Sequence, residues 1–148
     1  MRFEKVKDEF RKFPNRRIKL PERKTTGSAA YDFYINEEKT LYPGRVHIFW
    51  TDVKCKLDID KVLLLSIRSS LGKDGLQLAN APGVVDSDYY SNPGNDGNIG
   101  FMIVNNTNYP LSVKKGDRIG QGMILKYYTT EEDETSKSRE GGFGSTGD

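Results

Sequence analysis

Residues 82–89 read Pro-Gly-Val-Val-Asp-Ser-Asp-Tyr and set carboxylates and a phenol directly after a short apolar strand. Residues 141–147 read Gly-Gly-Phe-Gly-Ser-Thr-Gly, a glycine bed holding one ring and two hydroxyls. The first run has the equipment of a base catalyst beside an aromatic sugar platform. The second suits a flexible flap whose amides and hydroxyls cover phosphates. Phe143 has no core to join, and an exposed ring needs a reason. Stacking on a nucleobase supplies one, at roughly 1–3 kcal/mol per base. Together the two runs predict a site that holds a nucleotide.

Other segments carry weaker signals. Asp32 follows the apolar-aromatic run Ala29–Tyr31 and reads either as a strand-end turn former or as a charged ligand. In Arg68-Ser69-Ser70-Leu71-Gly72, the apolar run 62–67 delivers hydroxyls, amides and a guanidinium to a turn, a set that suits phosphate oxygens. The plainer reading is a serine-capped turn with a surface arginine. Gly116-Asp117-Arg118-Ile119-Gly120-Gln121 opens the last long strand, an ordinary hairpin feature by itself. His47 is the single histidine, so a histidine-based metal cluster is excluded and a Ser-His-Asp triad is disfavoured. Cys55, the single cysteine, rules out an intramolecular disulfide and points to a reducing compartment. Its place in Val53-Lys54-Cys55-Lys56-Leu57 puts it on an apolar strand face, as a core residue rather than a nucleophile.

The elements that must position these groups read as mostly β. Runs 29–35, 46–50, 53–59, 62–67, 99–104 and 119–128 are strand-like. Turn chemistry separates them at Pro43-Gly44, 72–75, 92–97 and 115–117. Many short strands with polar turns predict an all-β, jelly-roll-like barrel or sandwich. Phe3, Val6, Phe10 and Phe13 stand at near-helical spacing before Pro14, which predicts a short amphipathic helix within an N-terminal extension, residues 1–16. The β-domain is expected over 17–128, and a flexible polar C-terminal arm over 129–148. At 148 residues the chain is long enough for one domain with its own core.

Net charge is only +2, yet residues 1–24 hold ten Lys/Arg against four Asp/Glu, leaving −4 for the remainder. Glu4, Asp8 and Glu9 interrupt that basic arm and no groove-reading motif follows, so nucleic acid is not an expected partner. No run has the length of a membrane span or the apolar core of a signal peptide, which predicts a soluble, cytoplasmic protein.

Five segments in register now carry a family resemblance: Ala29-Ala30-Tyr31-Asp32-Phe33, Arg68 through Gly72, Asn80 through Tyr89, Gly116 through Gln121, and Arg139 through Gly147. Over residues 18–148 the chain resembles the trimeric dUTPases. That resemblance implies Mg²⁺-dependent hydrolysis of dUTP to dUMP and pyrophosphate. It assigns Asp86 as the base that activates water against the α-phosphorus, Tyr89 as the ring under the deoxyribose, and Asn80 as a reader of the uracil edge. Ser69, Ser70 and the neighbouring amides would attend the phosphates with Arg68 supporting the site, Gln121 would reach the phosphates or the attacking water, and Arg118 is read as structural. Asp32 would hold Mg²⁺ through water. Arg139, Phe143, Gly144, Ser145 and Thr146 would close over the nucleotide. The resemblance also implies a homotrimer whose sites are shared between subunits.

The chain departs from the family pattern in three places. Ala30 replaces a glycine, Arg139 stands four residues before Phe143 instead of five, and six residues, 90–95, are inserted after Tyr89 ahead of Gly97. Two other readings compete. A deaminase of the same fold needs a carboxylate three residues before Asn105, and Met102 stands there. A protein-binding regulator, as among phage-borne relatives, would use the insertion and the basic N-terminus.

Overall fold

The computed structural model of the chain describes residues 1–136, so Arg139, Phe143, Gly144, Ser145 and Thr146 lie outside the described residues. Two antiparallel sheets face one another. The larger orders β2 (Tyr31–Tyr34), β11 (Arg118–Lys126), β6 (Lys61–Ile67) and β8 (Gly83–Val85). The smaller orders β4 (Val46–Trp50), β9 (Gly100–Asn105) and β7 (Leu76–Leu78). Two further pairs join β3 (Lys39–Leu41) to β10 (Leu111–Val113), and β1 (Arg2–Lys5) to β5 (Val53–Lys56). The only α-helix among the described residues is α1 (Ser69–Lys73). This is the all-β, jelly-roll-like arrangement expected from the strand and turn pattern.

Side chains alternate across each strand, and the alternation decides which face is core. Leu63 and Leu65 of β6 are buried, with Phe33, Phe49, Phe101, Ile103 and Ile119. The rings of Phe33 and Phe101 tie the two sheets together at 5.3 Å between centroids. Truncating such a ring to alanine costs about 3–5 kcal/mol. Gly120 permits the close approach, because a Cβ there would stand 2.2 Å from Phe101 Cε1. Cys55 is buried, and burial pushes its thiol up to about 12, so it is a core residue without nucleophilic character.

The helix expected over the N-terminal residues does not form. Residues 2–5 are a strand whose Phe3 stands opposite Cys55 and Glu4 opposite Lys54. A single 3₁₀ turn, Asp8–Phe10, follows. Phe3 packs edge-on against Tyr31 and Phe33 at 5.1 and 5.6 Å. Non-local pairing overrides the local spacing, because β5 offers a free edge and the Phe3 ring has a ready-made aromatic pocket. β11 ends at Lys126, and Tyr127 clasps the β5–β6 connection by donating its hydroxyl to the Ile59 carbonyl at 2.7 Å. Residues 129–136 are exposed and carry no strand or helix.

Candidate functional site

One end of the larger sheet gathers charge. Asp32 of β2 stands directly opposite Gln121 of β11, and Gln121 stands opposite Ser66 of β6. Directly opposed residues share a face, and Phe33 points into the core, so Asp32, Gln121 and Ser66 all lie on the outer face. Two residues beyond Ser66 the strand delivers Arg68, and α1 begins with the exposed hydroxyls of Ser69 and Ser70. The Asp32 carboxylate sits between two guanidiniums, with Oδ2 3.0 Å from Arg118 Nη1 and Oδ1 3.4 Å from Arg68 Nε. Two cations around one anion leave a net positive cluster, the sign that a polyphosphate requires.

The pairing of Asp32 with Arg118 was not legible in the sequence, where Arg118 read as merely structural. The signal was there in its place three residues before Gln121 on the strand that neighbours β2. Asp32 is the carboxylate that this cluster offers a metal among the described residues. Among the described residues, no group of three or more His, Cys, Asp or Glu side chains is placed to hold an ion. Both Asp32 oxygens already face cations, but a carboxylate has about four lone-pair directions. Such a donor set fits Mg²⁺ held through water beside substrate phosphates, and does not fit an all-protein cage.

The opposite end of the same sheet holds the acid and the phenol. β8 runs antiparallel to β6, with Gly83 opposite Leu65 and Val85 opposite Leu63. Asp86 follows Val85, half-buried at the head of a one-turn 3₁₀ helix, Ser87–Tyr89, whose last amide donates to the Asp86 carbonyl at 3.2 Å. Tyr89 is buried, and its hydroxyl donates to the Asn98 carbonyl at 2.8 Å. It also accepts from Asn95 Nδ2 at 2.7 Å. Asn80 lies exposed in the connection before β8, so β8 separates it from Asp86 and Tyr89.

The structure therefore brings Asp32, Arg68, Ser69, Ser70 and Gln121 together, and does not bring Asp86 to them. Arg68 is five residues past Leu63, the partner of Val85, which is about 17 Å at 3.3 Å per residue. Between the two ends, the outer face is apolar. Val62, Leu64, Val84, Met123 and Leu125 share it, with Val84, Met123 and Leu125 58%, 38% and 39% exposed. Met102, which stands where a deaminase carboxylate would be needed, lies on β9 opposite Ile48.

Comparison with known proteins adds the family signal. A family model described as dUTPase matches residues 16–147. A deoxyuridine 5'-triphosphate nucleotidohydrolase of Lactococcus lactis is 37% identical over 139 residues, covering 92% of this chain and 93% of the relative. One from vaccinia virus is 32% identical over 136 residues, covering 88% and 87%. The crystal structure of a dUTPase from Streptococcus mutans superposes with a TM-score of 0.76 at 31% identity, covering 87% of this chain and 98% of that one.

Proposed function

Starting from a chain that belongs to the dUTPase family, we propose that it hydrolyses dUTP to dUMP and pyrophosphate at sites built between the subunits of a homotrimer. The observation that carries this reading is the outer face of the larger sheet. It has an acid at one end, followed three residues on by the buried Tyr89, a positive cluster at the other, and an exposed apolar strip between. An exposed apolar strip of this kind suits a subunit interface, which supports the reading. In a three-fold ring the contact is head-to-tail, so unlike ends of neighbouring copies meet. The Asp86 end of one subunit then faces the Arg68 end of the next.

In that setting each group has a task. Asp86 accepts the proton of a water aligned with the α-phosphorus, and a base so placed contributes about 10²–10⁴-fold. Tyr89 presents its ring to the deoxyribose, where a ribose 2′-hydroxyl would collide. Asn80 reads the uracil edge, and a pocket built to hydrogen-bond one base rejects others by leaving its own groups unpaired. Arg68, Ser69, Ser70 and Gln121 hold the phosphates in line, which in phosphoryl transfer supplies most of the rate. Mg²⁺, held by Asp32 through water and by the phosphates, would neutralise charge on the departing pyrophosphate. Arg139, Phe143, Gly144, Ser145 and Thr146 would close the site against solvent.

The test is complementation. Mixing an Asp86→Asn chain with one lacking residues 139–148, each inactive by itself, is expected to restore pyrophosphate release from dUTP as the subunits exchange. Mixed assemblies that stay as inactive as their parents would refute shared sites.

A further inference from the structure

Of the six residues inserted after Tyr89, Ser91, Pro93 and Gly94 are exposed, while Asn92 is buried and Asn95 half-buried. They coil back onto that tyrosine, with Ser91, Asp96 and Gly97 at positive φ of 55°, 56° and 81°. The coil is fixed by side-chain amides. Asn92 donates to the Tyr89 carbonyl at 2.7 Å and accepts from the Gly94 and Asn95 amides. Asn95 Oδ1 accepts from Asn92 Nδ2 at 2.8 Å and from the Gly97 amide at 3.0 Å. With its oxygen committed to two donors, Asn95 must turn its NH₂ to the Tyr89 hydroxyl. The phenol is thus gripped as an acceptor by Asn95 and as a donor by Asn98.

Both grips are anchored by the N-terminal arm. Asp96 is 2% exposed; it pairs with Lys54 Nζ at 2.9 Å and accepts from the Lys7 amide at 2.8 Å. Asp52 is fully buried at φ 54° and accepts from the Lys12 and Phe13 amides at 2.9 and 2.8 Å. It also accepts from Asn98 Nδ2 at 2.9 Å, and its own amide donates to Asn98 Oδ1 at 3.0 Å. Tyr90 donates its hydroxyl to Glu4. Main-chain donors of residues 7–13 therefore reach two buried carboxylates, and each carboxylate holds a segment that touches the Tyr89 hydroxyl.

We infer that the N-terminal arm and the 90–97 coil form a brace that sets the Tyr89 ring, with Asn95 as the positioning residue, and that this brace sharpens discrimination between deoxyribose and ribose nucleotides. The inference rests on the reading of Tyr89 as the sugar platform. A ring that excludes one hydroxyl works only if its tilt is fixed, because displacements near 1 Å in a site cost up to about 10²-fold. A phenol held through both its proton and its lone pair cannot tilt without breaking a bond.

The test compares Tyr89→Ala, Tyr89→Phe, Asn95→Ala and the double variant Tyr89→Phe/Asn95→Ala on dUTP and UTP in the full-length protein. Asn95→Ala is expected to raise KM for dUTP about fivefold to tenfold with kcat within about twofold, and to lower the dUTP/UTP ratio of kcat/KM about tenfold. The double variant should fall short of the sum of the two single effects, since both changes remove the Asn95–Tyr89 bond while each also removes bonds of its own. Lys7→Pro tests the arm remotely, for φ −56° at Lys7 suits proline, and the change removes the donor to Asp96 together with one exposed ammonium. It should shift KM and selectivity in the same direction, by about threefold. If Asn95→Ala and Lys7→Pro leave KM and selectivity unchanged while Tyr89→Ala abolishes selectivity, the brace is refuted and the sugar platform stands. If Tyr89→Ala itself keeps wild-type selectivity, the sugar platform is refuted and the brace falls with it as a specificity device. Should Asn95→Ala fail to fold, Tyr89→Phe and Lys7→Pro decide the matter alone, with unchanged selectivity in both overturning the inference.

Discussion

The two ends of the larger sheet's outer face solve positioning differently. At the Asp32 end, strand register alone is sufficient. Asp32, Gln121 and Ser66 are neighbours because β2, β11 and β6 pair, and two arginines close on the carboxylate. At the Tyr89 end, no strand pairing fixes the ring. A buried polar network does so, fed by main chain from the other end of the sequence. Charge acts over distance and tolerates small errors, so a phosphate-handling cluster can lie on plain sheet geometry. A shape test on a sugar tolerates much less, and a fully satisfied hydrogen-bond network supplies the rigidity.

The comparison breaks most visibly at the acid. Asp86→Asn is expected to lower kcat about 10³-fold while dUTP binding by calorimetry stays within a few fold. Parallel loss of binding would mean that Asp86 holds substrate instead of activating water. Glycine substitutions come next. Gly97 and Gly116 both have positive φ, 81° and 91°, yet a Cβ on Gly97 would stand 2.8 Å from the Tyr89 carbonyl while one on Gly116 meets nothing within 4 Å. Gly116→Ala should therefore cost only the backbone term, about 1–2 kcal/mol. Gly97→Ala should cost at least about 1 kcal/mol more in urea unfolding, because the coil must shift. Equal costs would show the coil to be loosely packed.

At the opposite end, Asp32→Asn should raise the Mg²⁺ concentration for half-maximal turnover about tenfold, the scale of lost outer-sphere support for a metal. An unchanged Mg²⁺ response would leave Asp32 as a partner for Arg68 and Arg118 alone. The smallest expected effect is in acid. Burial pushes the Asp96 carboxyl up, but the Lys7 amide, the Lys54 ammonium and Ser91 together outweigh it and hold it below the ordinary value of 3.8. A carboxyl depressed on folding contributes stability above its unfolded value and loses it as pH falls through the folded one. The stability gap between wild type and Asp96→Asn, about 1–2 kcal/mol at pH 7, should hold down to about pH 4 and close below it. A gap independent of pH would mean that packing, not the charge, is what Asp96 supplies.

Much of the fold was legible because the apolar runs around Val46–Trp50, Leu63–Leu65 and Phe101–Val104 are long enough to declare strands. The three-residue β3, β7 and β10 were not, since so short a run has no period to read. The arm misled because Phe3, Val6, Phe10 and Phe13 imitate a helix, whereas the deciding partner of Phe3 is Cys55 opposite it on β5. The candidate site residues were named from family motifs, and their placement on one face follows from pairings between distant strands. The grip on Tyr89 lay beyond reach for the same reason. Lys7 and Asp96 are separated by 89 positions, and nothing local marks them as partners.

The arm makes its deepest bonds through the peptide nitrogens of Lys7, Lys12 and Phe13. A bond donated by main chain is blind to the identity of the residue that donates it, proline excepted. The solvent-facing side chains of this segment are therefore free to change, so its surface charge can drift from one descendant to another while the hold on the tyrosine is inherited intact.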